Sequence, residues 1–169
     1  MATEALEITQ PEFRTANGIA AADRKKIAEA LGIVLADTYM LFIKTQGVHW
    51  NVTGPVFMGV HKLTEEQYEN MYEAIDALAE RIRALGHKAP ASYTKYGELS
   101  SINDRDEEQS VAQMLKMLIA DHETAVLNMR AATEWCEEKN DYVTADMLTA
   151  RMSWHEQAVW MLKSLSAEG

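Results

Sequence analysis

The chain has 169 residues, enough for one domain with a sizeable core, and its 47% hydrophobic and 25% charged residues are ordinary for a soluble protein. No apolar run reaches the length of a membrane span, and the N-terminus lacks the charged-then-apolar layout of a signal peptide, so we expect no membrane partner. The single cysteine, Cys136, excludes an intrachain disulfide and favours a reducing compartment. The sequence therefore predicts a cytoplasmic protein.

The charge balance is strongly acidic. Sixteen basic residues stand against twenty-six acidic ones, which gives a formal net charge of −10. Such a surface repels phosphate backbones unless positive charge is concentrated somewhere, whereas an acidic interior would attract cations. The net charge alone leaves open which surface carries it.

The first 22 residues are predicted to form a flexible N-terminal arm, because they contain Pro11 and Gly18 and show weak periodicity. Residues 23–169 are predicted to form one helical domain. Its first helix is expected to run from Asp23, a good N-cap residue, to about His49. An apolar stripe supports this helix and consists of Ile27, Leu31, Val34, Leu35, Leu41 and Phe42.

The second helix is expected after the break at Gly54-Pro55 and should end at Gly86, a plausible residue for a helix C-terminus. At about 100° per residue, four polar side chains share one face of it, namely His61, Glu65, Asp76 and Glu80. Three further acids, Glu66, Glu69 and Glu73, widen that stripe to about 140°. The opposite sector is apolar, with Phe57, Val60, Tyr68, Met71, Ile75, Leu78, Ile82 and Leu85, as expected for a helix that packs on a core.

A long connection follows over residues 86–106. The third helix is predicted to begin at Asp104 or Asp106 and to reach about Lys139, and Asp141 is expected to cap a fourth helix that ends near Leu165. Four helices with one long middle connection predict an all-α four-helix bundle with a single crossover.

The polar face of the second helix predicts a metal site. His49 and His61 offer imidazole nitrogens, and Asp76 and Glu80 offer hard oxygens, a mixed set that suits Fe(II) and also accepts Zn(II) as a competing ion. Fifteen residues at 1.5 Å each separate His61 from Asp76 by about 22 Å along one helix. We therefore expect the histidines of one subunit to meet the carboxylates of a two-fold related subunit, with the axis near Tyr68–Asn70.

Each candidate also has a simpler interpretation. A lone histidine is more often a packed or surface residue than a ligand, and His87, His122 and His155 match no ligand spacing. Trp50 can be a core residue, and the acidic stripe can be a solvated helix face. Glu65 lies one turn beyond His61 and can bind the same ion.

These motifs resemble those of the Dps family, the mini-ferritins also called DNA-binding proteins from starved cells. The resemblance rests on His49-Trp50-Asn51, Gly54, Phe57, His61 and Asp76-x-x-Ala79-Glu80-Arg81, and on Thr144-Ala145-Asp146-x-Leu148-Thr149 with Trp160 near the end. It extends from about Asp23 to Leu165. It implies a ferritin-like four-helix subunit with a short helix in the middle connection, assembled from two-fold dimers into a hollow dodecamer. It also implies a ferroxidase that oxidises Fe(II), preferably with hydrogen peroxide, and stores the ferric product.

The resemblance also assigns roles to residues. It implies that His49, His61, Asp76 and Glu80 form the ferroxidase site, with Trp50 beside it to intercept radicals. The family usually has Asp where Glu65 stands. A pore for iron entry would be lined by Asp146 and also by Asp141, which can act as a helix cap at the same time. If the second helix lines the cavity, the ferric mineral would be nucleated by Glu66, Glu69 and Glu73.

Two other classes of function stay open. Dps members that bind DNA usually have a lysine-rich tail, but here the first lysine is Lys25, and Arg14 is the only basic residue within the predicted arm of residues 1–22. A DNA-compacting protein of the bacterial nucleoid is therefore the disfavoured alternative. A purely structural bundle that inherits the motif is the other, and metal titration would separate it from a ferroxidase.

Overall fold

The structure is a computed structural model and describes residues 15–105 and 108–166. Most of the predicted N-terminal arm, residues 1–14, lies outside the described residues, as does the candidate cap Asp106. In the described part, the ordered elements are five helices and no strand, which confirms the all-α prediction. The helices are α1 (Ala21–Asn51), α2 (Phe57–Ala84), α3 (Tyr93–Leu99), α4 (Val111–Glu138) and α5 (Tyr142–Ser166).

Helix α1 begins slightly earlier than predicted. Its N-cap is Ala20, which has extended backbone angles and no side-chain cap, and Asp23 lies inside the first turn. A carboxylate in the first turn still interacts favourably with the positive end of the helix dipole. Asp23 therefore stabilises the first turn of α1, but it is not the N-cap residue.

Helix α2 ends as the sequence predicts. Gly86 has φ +92°, and its N–H donates to the Arg83 carbonyl at 2.9 Å, while the His87 N–H donates to the Ile82 carbonyl at 3.2 Å. These two bonds form a Schellman motif, which satisfies the last helical carbonyls and needs the left-handed backbone that glycine adopts without strain.

The crossover between α2 and α4 carries the short helix α3, which packs on α1. A buried carboxylate, Asp37 of α1, fastens the end of this crossover. It accepts hydrogen bonds from Ser100 Oγ at 2.9 Å, Ser101 N at 2.7 Å and Asn128 Nδ2 at 2.7 Å. Since Asn128 lies on α4, one fully buried side chain ties together α1, the crossover and α4.

Helix α4 begins at Val111, later than the predicted start at Asp104 or Asp106. Ser110 caps it, with its hydroxyl accepting from Gln113 N and the Gln113 side chain accepting from Ser110 N at 2.8 Å. This reciprocal capping box is the stronger start signal in the sequence. The N-cap prediction for α5 is confirmed, because Thr144 N donates to Asp141 Oδ1 at 3.1 Å.

The core fills the bundle along its whole length. Helices α1 and α2 pack together, α4 and α5 pack together, and α1 lies beside α4. The predicted apolar stripe of α2 is buried at Val60, Met71, Leu78, Ile82 and Leu85. Each such side chain contributes about 1.5–3 kcal/mol by leaving water. No helix in the described residues combines the length and the apolar character that crossing a membrane requires.

Candidate metal centre

Two histidines meet where α1 turns back into α2. His49 lies in the last turn of α1 and His61 near the start of α2, and the link between the helices turns at Gly54, whose φ is +88°. The two imidazole rings stack with centroids 3.8 Å apart and an interplanar angle of 16°. The α1–α2 turn therefore brings together residues that are twelve positions apart in the sequence.

Main-chain carbonyls fix the orientation of both rings. His49 Nδ1 lies 2.8 Å from the His61 carbonyl oxygen, and His61 Nδ1 lies 2.9 Å from the His49 carbonyl oxygen. Because a carbonyl only accepts, each Nδ1 carries the proton in the neutral ring, and each Nε2 keeps its lone pair. A backbone carbonyl is one of the groups that commonly orient a metal-binding imidazole in this way.

Aromatic side chains support the histidine pair. Phe57 stacks on His61 with centroids 4.9 Å apart, and Tyr68 meets His49 edge-on at 5.2 Å. Thr64, fully buried beneath them, donates to the Val60 carbonyl at 2.7 Å. His49 is only 7% exposed, so its ring has little freedom to turn.

Glu65 lies on the same face of α2 as His61. Its carboxylate accepts a hydrogen bond from Lys62 Nζ at 2.7 Å. This bond and the Lys62 charge lower the pKa of Glu65 below its ordinary value, with a smaller contribution from the two histidines. Glu65 is therefore an ionised oxygen donor beside the histidine pair, although Lys62 engages it in the isolated subunit.

The other two predicted ligands are distant from the histidine pair of the same chain. Asp76 and Glu80 are exposed on α2, and the continuous helix separates Asp76 from His61 by about 22 Å. Within the described residues of the single chain, no three His, Cys, Asp or Glu side chains are grouped so that they could hold a metal ion. The structure thus brings His49 and His61 together and leaves Asp76 and Glu80 elsewhere on the subunit surface.

The remaining predicted site residues, apart from Asp141, are exposed to solvent. Trp50 is 67% exposed next to His49. Glu66, Glu69 and Glu73 are exposed on α2, and Asp146 is exposed on α5.

Asp141 differs from these residues because it is buried, with 1% exposure. It accepts from Arg81 Nη2 at 2.6 Å and from Thr144 Oγ1 at 2.5 Å. These contacts match the helix-cap alternative for Asp141, and they leave Asp146 as the exposed member of the predicted pore pair.

Two buried polar contacts were not foreseen from the sequence. His122 of α4 and His155 of α5 face each other with their Nδ1 atoms 2.8 Å apart, and both rings are fully buried. Lys44 of α1 pairs with Asp121 of α4 at 2.6 Å. Both contacts join residues from different helices, so no spacing along one helix could have revealed them.

The four long helices, the crossover with its short helix and the paired histidines define a ferritin-like four-helix bundle. The sequence model described as the ferritin-like domain matches residues 28–168. The chain belongs to the Dps family of ferritin-like proteins.

Similar proteins support this assignment in sequence and in structure. The chain is 32% identical to DNA protection during starvation protein 2 of Bacillus anthracis over 83% of this chain and 96% of that protein. It is 38% identical to an uncharacterised low temperature-induced protein of Nostoc sp. over 87% of this chain and 83% of that protein. The crystal structure of Dps from Thermosynechococcus elongatus superposes with a TM-score of 0.85 at 28% identity, covering 88% of this chain and 95% of that one.

Proposed function

We propose that this protein is a Dps-type ferroxidase and iron-storage protein that binds Fe(II) at sites shared between two subunits. His49 and His61 come from one subunit, and Asp76 and Glu80 come from its two-fold mate. The observation that carries this proposal is the reciprocal hydrogen bonding of His49 and His61, because it orients two imidazoles with both Nε2 lone pairs available for a metal ion.

The geometry of α2 supports sharing between subunits. The midpoint between His61 and the pair Asp76 and Glu80 falls near Tyr68–Asn70. If two copies of α2 pack antiparallel about a two-fold axis there, each histidine pair lies opposite the carboxylates of the other subunit, and two equivalent sites result. Such dimers would be the building blocks of a homo-dodecameric shell.

The ligand chemistry suits ferrous iron. Two neutral imidazoles and two carboxylates form a mixed nitrogen and oxygen set, which Fe(II) accepts and for which Zn(II) competes. Glu65 would become a further ligand if its carboxylate released Lys62 and bound the ion instead. The metal is substrate here, since each ion leaves the site as ferric product.

The redox step balances with hydrogen peroxide as oxidant. Two Fe(II) ions each give up one electron, the O–O bond of peroxide breaks, and its oxygens leave as water after protonation. Because both electrons reach one peroxide molecule, little hydroxyl radical is released, and Trp50 would intercept what forms. Asp146 would assist iron entry through a pore, and Glu66, Glu69 and Glu73 would nucleate the ferric mineral inside the shell.

The names of related proteins agree with iron chemistry and with protection from damage. The Dps structure from Vibrio cholerae, which is 27% identical and superposes with a TM-score of 0.82, is described as a member of the ferritin-like diiron-carboxylate proteins. The similar proteins of Bacillus anthracis and Brevibacillus brevis are both called DNA protection during starvation proteins. A cytoplasmic location is part of this proposal.

Subunit complementation tests the shared site directly. One variant carries His49→Ala and His61→Ala, and the other carries Asp76→Asn and Glu80→Gln. Each alone should lose rapid peroxide-dependent Fe(II) oxidation. When the two are unfolded, mixed in equal amounts and reassembled, random pairing should restore about a quarter of the sites, because half of the dimers are mixed and each has one intact site. Assembled mixed particles without activity would reject the shared site.

DNA compaction is the second candidate, and the DNA protection named for the relatives is the observation that favours it. The net charge of −10 opposes it. A gel-shift titration at low salt decides between the two, and tight DNA binding would show that positive charge is concentrated on the shell surface.

A further inference from the structure

A groove of about 780 Å³ lies on the subunit surface between the first half of α1, the loop after α2 and the short helix α3. Its apolar lining residues include Ile33 of α1, Pro90 of the loop and Leu99 of α3. A groove of this size is in the range that holds a ligand or a short peptide segment. None of the residues that line it belongs to the candidate metal centre.

Three lysines add positive charge to the lining of this groove. Lys25 of α1, Lys88 of the loop and Lys95 of α3 line it, together with one acid, Glu29. Lys25 lies 4.0 Å from Glu29, and Lys95 lies 3.0 Å from Glu98, but both are exposed local pairs. Such pairs contribute about 0–1 kcal/mol and exchange partners at little cost. The groove therefore combines basic and apolar lining residues on a chain with a net charge of −10, and this combination favours an acidic, partly apolar occupant.

We propose that this groove binds the chain's own N-terminal segment, residues 1–14. The composition of the segment complements the groove. It contains three glutamates, Glu4, Glu7 and Glu12, and the apolar side chains Leu6, Ile8 and Phe13.

The described part of the chain begins at Thr15, close to one end of the groove. Thr15 Oγ1 donates to the Ala84 carbonyl at 3.3 Å, at the end of α2 and just before the loop that forms one wall of the groove. Ile19 then packs against the core, and its carbonyl accepts from Arg24 Nη1.

The segment is also long enough to cross the groove. Fourteen residues span up to about 48 Å when extended. The groove runs along α1 from Lys25 to Ile33, which is about 12 Å of helix.

Disulfide trapping in the full-length, assembled protein tests this placement. The variant Ile8→Cys with Ala91→Cys puts one thiol on the segment and one in the groove, and Ile8→Cys with Gln157→Cys is the matched control, since Gln157 is exposed on α5. The native Cys136 is buried and can stay. Under oxidised glutathione, the first pair should close an intrachain disulfide at least tenfold faster than the control. Equal rates would overturn the proposal, as would a disulfide-linked dimer on a non-reducing gel.

A second measurement does not depend on cysteine placement. A variant without residues 2–14 should bind the anionic apolar dye anilinonaphthalene sulfonate with several-fold higher fluorescence than the full chain. Lys25→Glu with Lys88→Glu in the shortened protein should remove that gain, and a synthetic peptide of residues 1–14 should displace the dye. Dye binding that is unchanged by the deletion, or displacement by a scrambled peptide to the same extent, would reject the assignment.

Discussion

The imidazole ring centroids of His49 and His61 lie 3.8 Å apart, and each ring is hydrogen-bonded through Nδ1 to the main-chain carbonyl of the other residue. The end of α1 and the start of α2 are therefore fastened to each other by the same two side chains that are proposed to bind iron. A change at either histidine acts on the local packing as well as on the metal ligands, so a test of function has to separate the two effects.

Replacing His61 with Ala should reduce the rate of peroxide-dependent Fe(II) oxidation by about 100-fold or more, because removing even an indirect partner of a metal ligand typically costs 10–100-fold. Stopped-flow absorbance of the ferric product measures this rate. His87→Ala is the matched control and should leave the rate unchanged, since His87 belongs to the groove. Particle size by light scattering must stay the same in both variants. An assembled His61→Ala protein with normal kinetics would disprove the ligand assignment.

Much of this fold was predictable from local signals. The break at Gly54-Pro55, the helix end at Gly86 and the cap at Asp141 all lie where the sequence predicts them, because each depends on backbone chemistry within a few residues. The start of α4 was predicted too early, because the prediction rested on the Asp residues alone and did not consider the capping box of Ser110 and Gln113.

Contacts between distant segments were not predictable in the same way. The stacking of His49 on His61 depends on the tight α1–α2 turn, and the burial of Asp141 against Arg81 depends on how α2 packs beside α5. Helical spacing places residues on a face of one helix but does not show which residues of another helix they meet. The exposed positions of Asp76 and Glu80 agree with the predicted face, and their partners remain a prediction.

Zn(II) should inhibit Fe(II) oxidation by competing for the histidine pair. Zinc accepts the same imidazole and carboxylate ligands and is not redox-active, so bound zinc blocks the site without turning over. Initial rates at increasing zinc concentration should fall in the native protein, and isothermal titration should show that His49→Ala lowers zinc affinity at least tenfold. Unchanged zinc affinity in that variant would place the zinc site elsewhere.

The buried pair of His122 and His155 should make stability depend on pH. Burial lowers the pKa of His122 from 6.5 to about 3 and also lowers the pKa of His155, with further lowering by the neighbouring Arg151 charge. As the pH falls below about 6.5, the unfolded chain takes up protons that the folded chain refuses, so the stability present at neutral pH is lost progressively towards pH 3. The loss is up to about 1.4 kcal/mol per pH unit for each histidine.

Urea unfolding at fixed protein concentration measures this effect between pH 7 and pH 4. The double variant His122→Leu with His155→Leu should show a shallower decline than the native protein, because only the carboxylates and the remaining histidines then titrate. Parallel declines in the two proteins would show that the buried pair takes up protons in the folded state as readily as in the unfolded one.

Cys136 should be unreactive in the folded protein. Burial raises the pKa of its thiol from 9.0 to about 12, with Asp141 adding to the effect. The thiolate fraction at pH 8 then falls by roughly a thousandfold, and the thiolate is the form that reacts with alkylating agents. Iodoacetamide labelling followed by intact mass should be negligible in native protein and complete in urea. Fast labelling of native protein would mean that α4 opens near its C-terminus.

Asp141→Asn should destabilise the protein far more than the loss of an exposed ion pair does. Arg81 and Asp141 are 13% and 1% exposed, and the ion pair between them is 2.6 Å long. Removing one charge from such a buried pair costs about 3–5 kcal/mol. Asparagine keeps the helix-capping ability of this position, so the loss of stability reports on the charge rather than on the cap.

The matched control is Glu156→Gln, which breaks the exposed pair with Arg130 at 3.2 Å and should cost no more than about 1 kcal/mol. Both values come from urea unfolding at one protein concentration, and equal costs would mean that Arg81 finds another acceptor when Asp141 loses its charge.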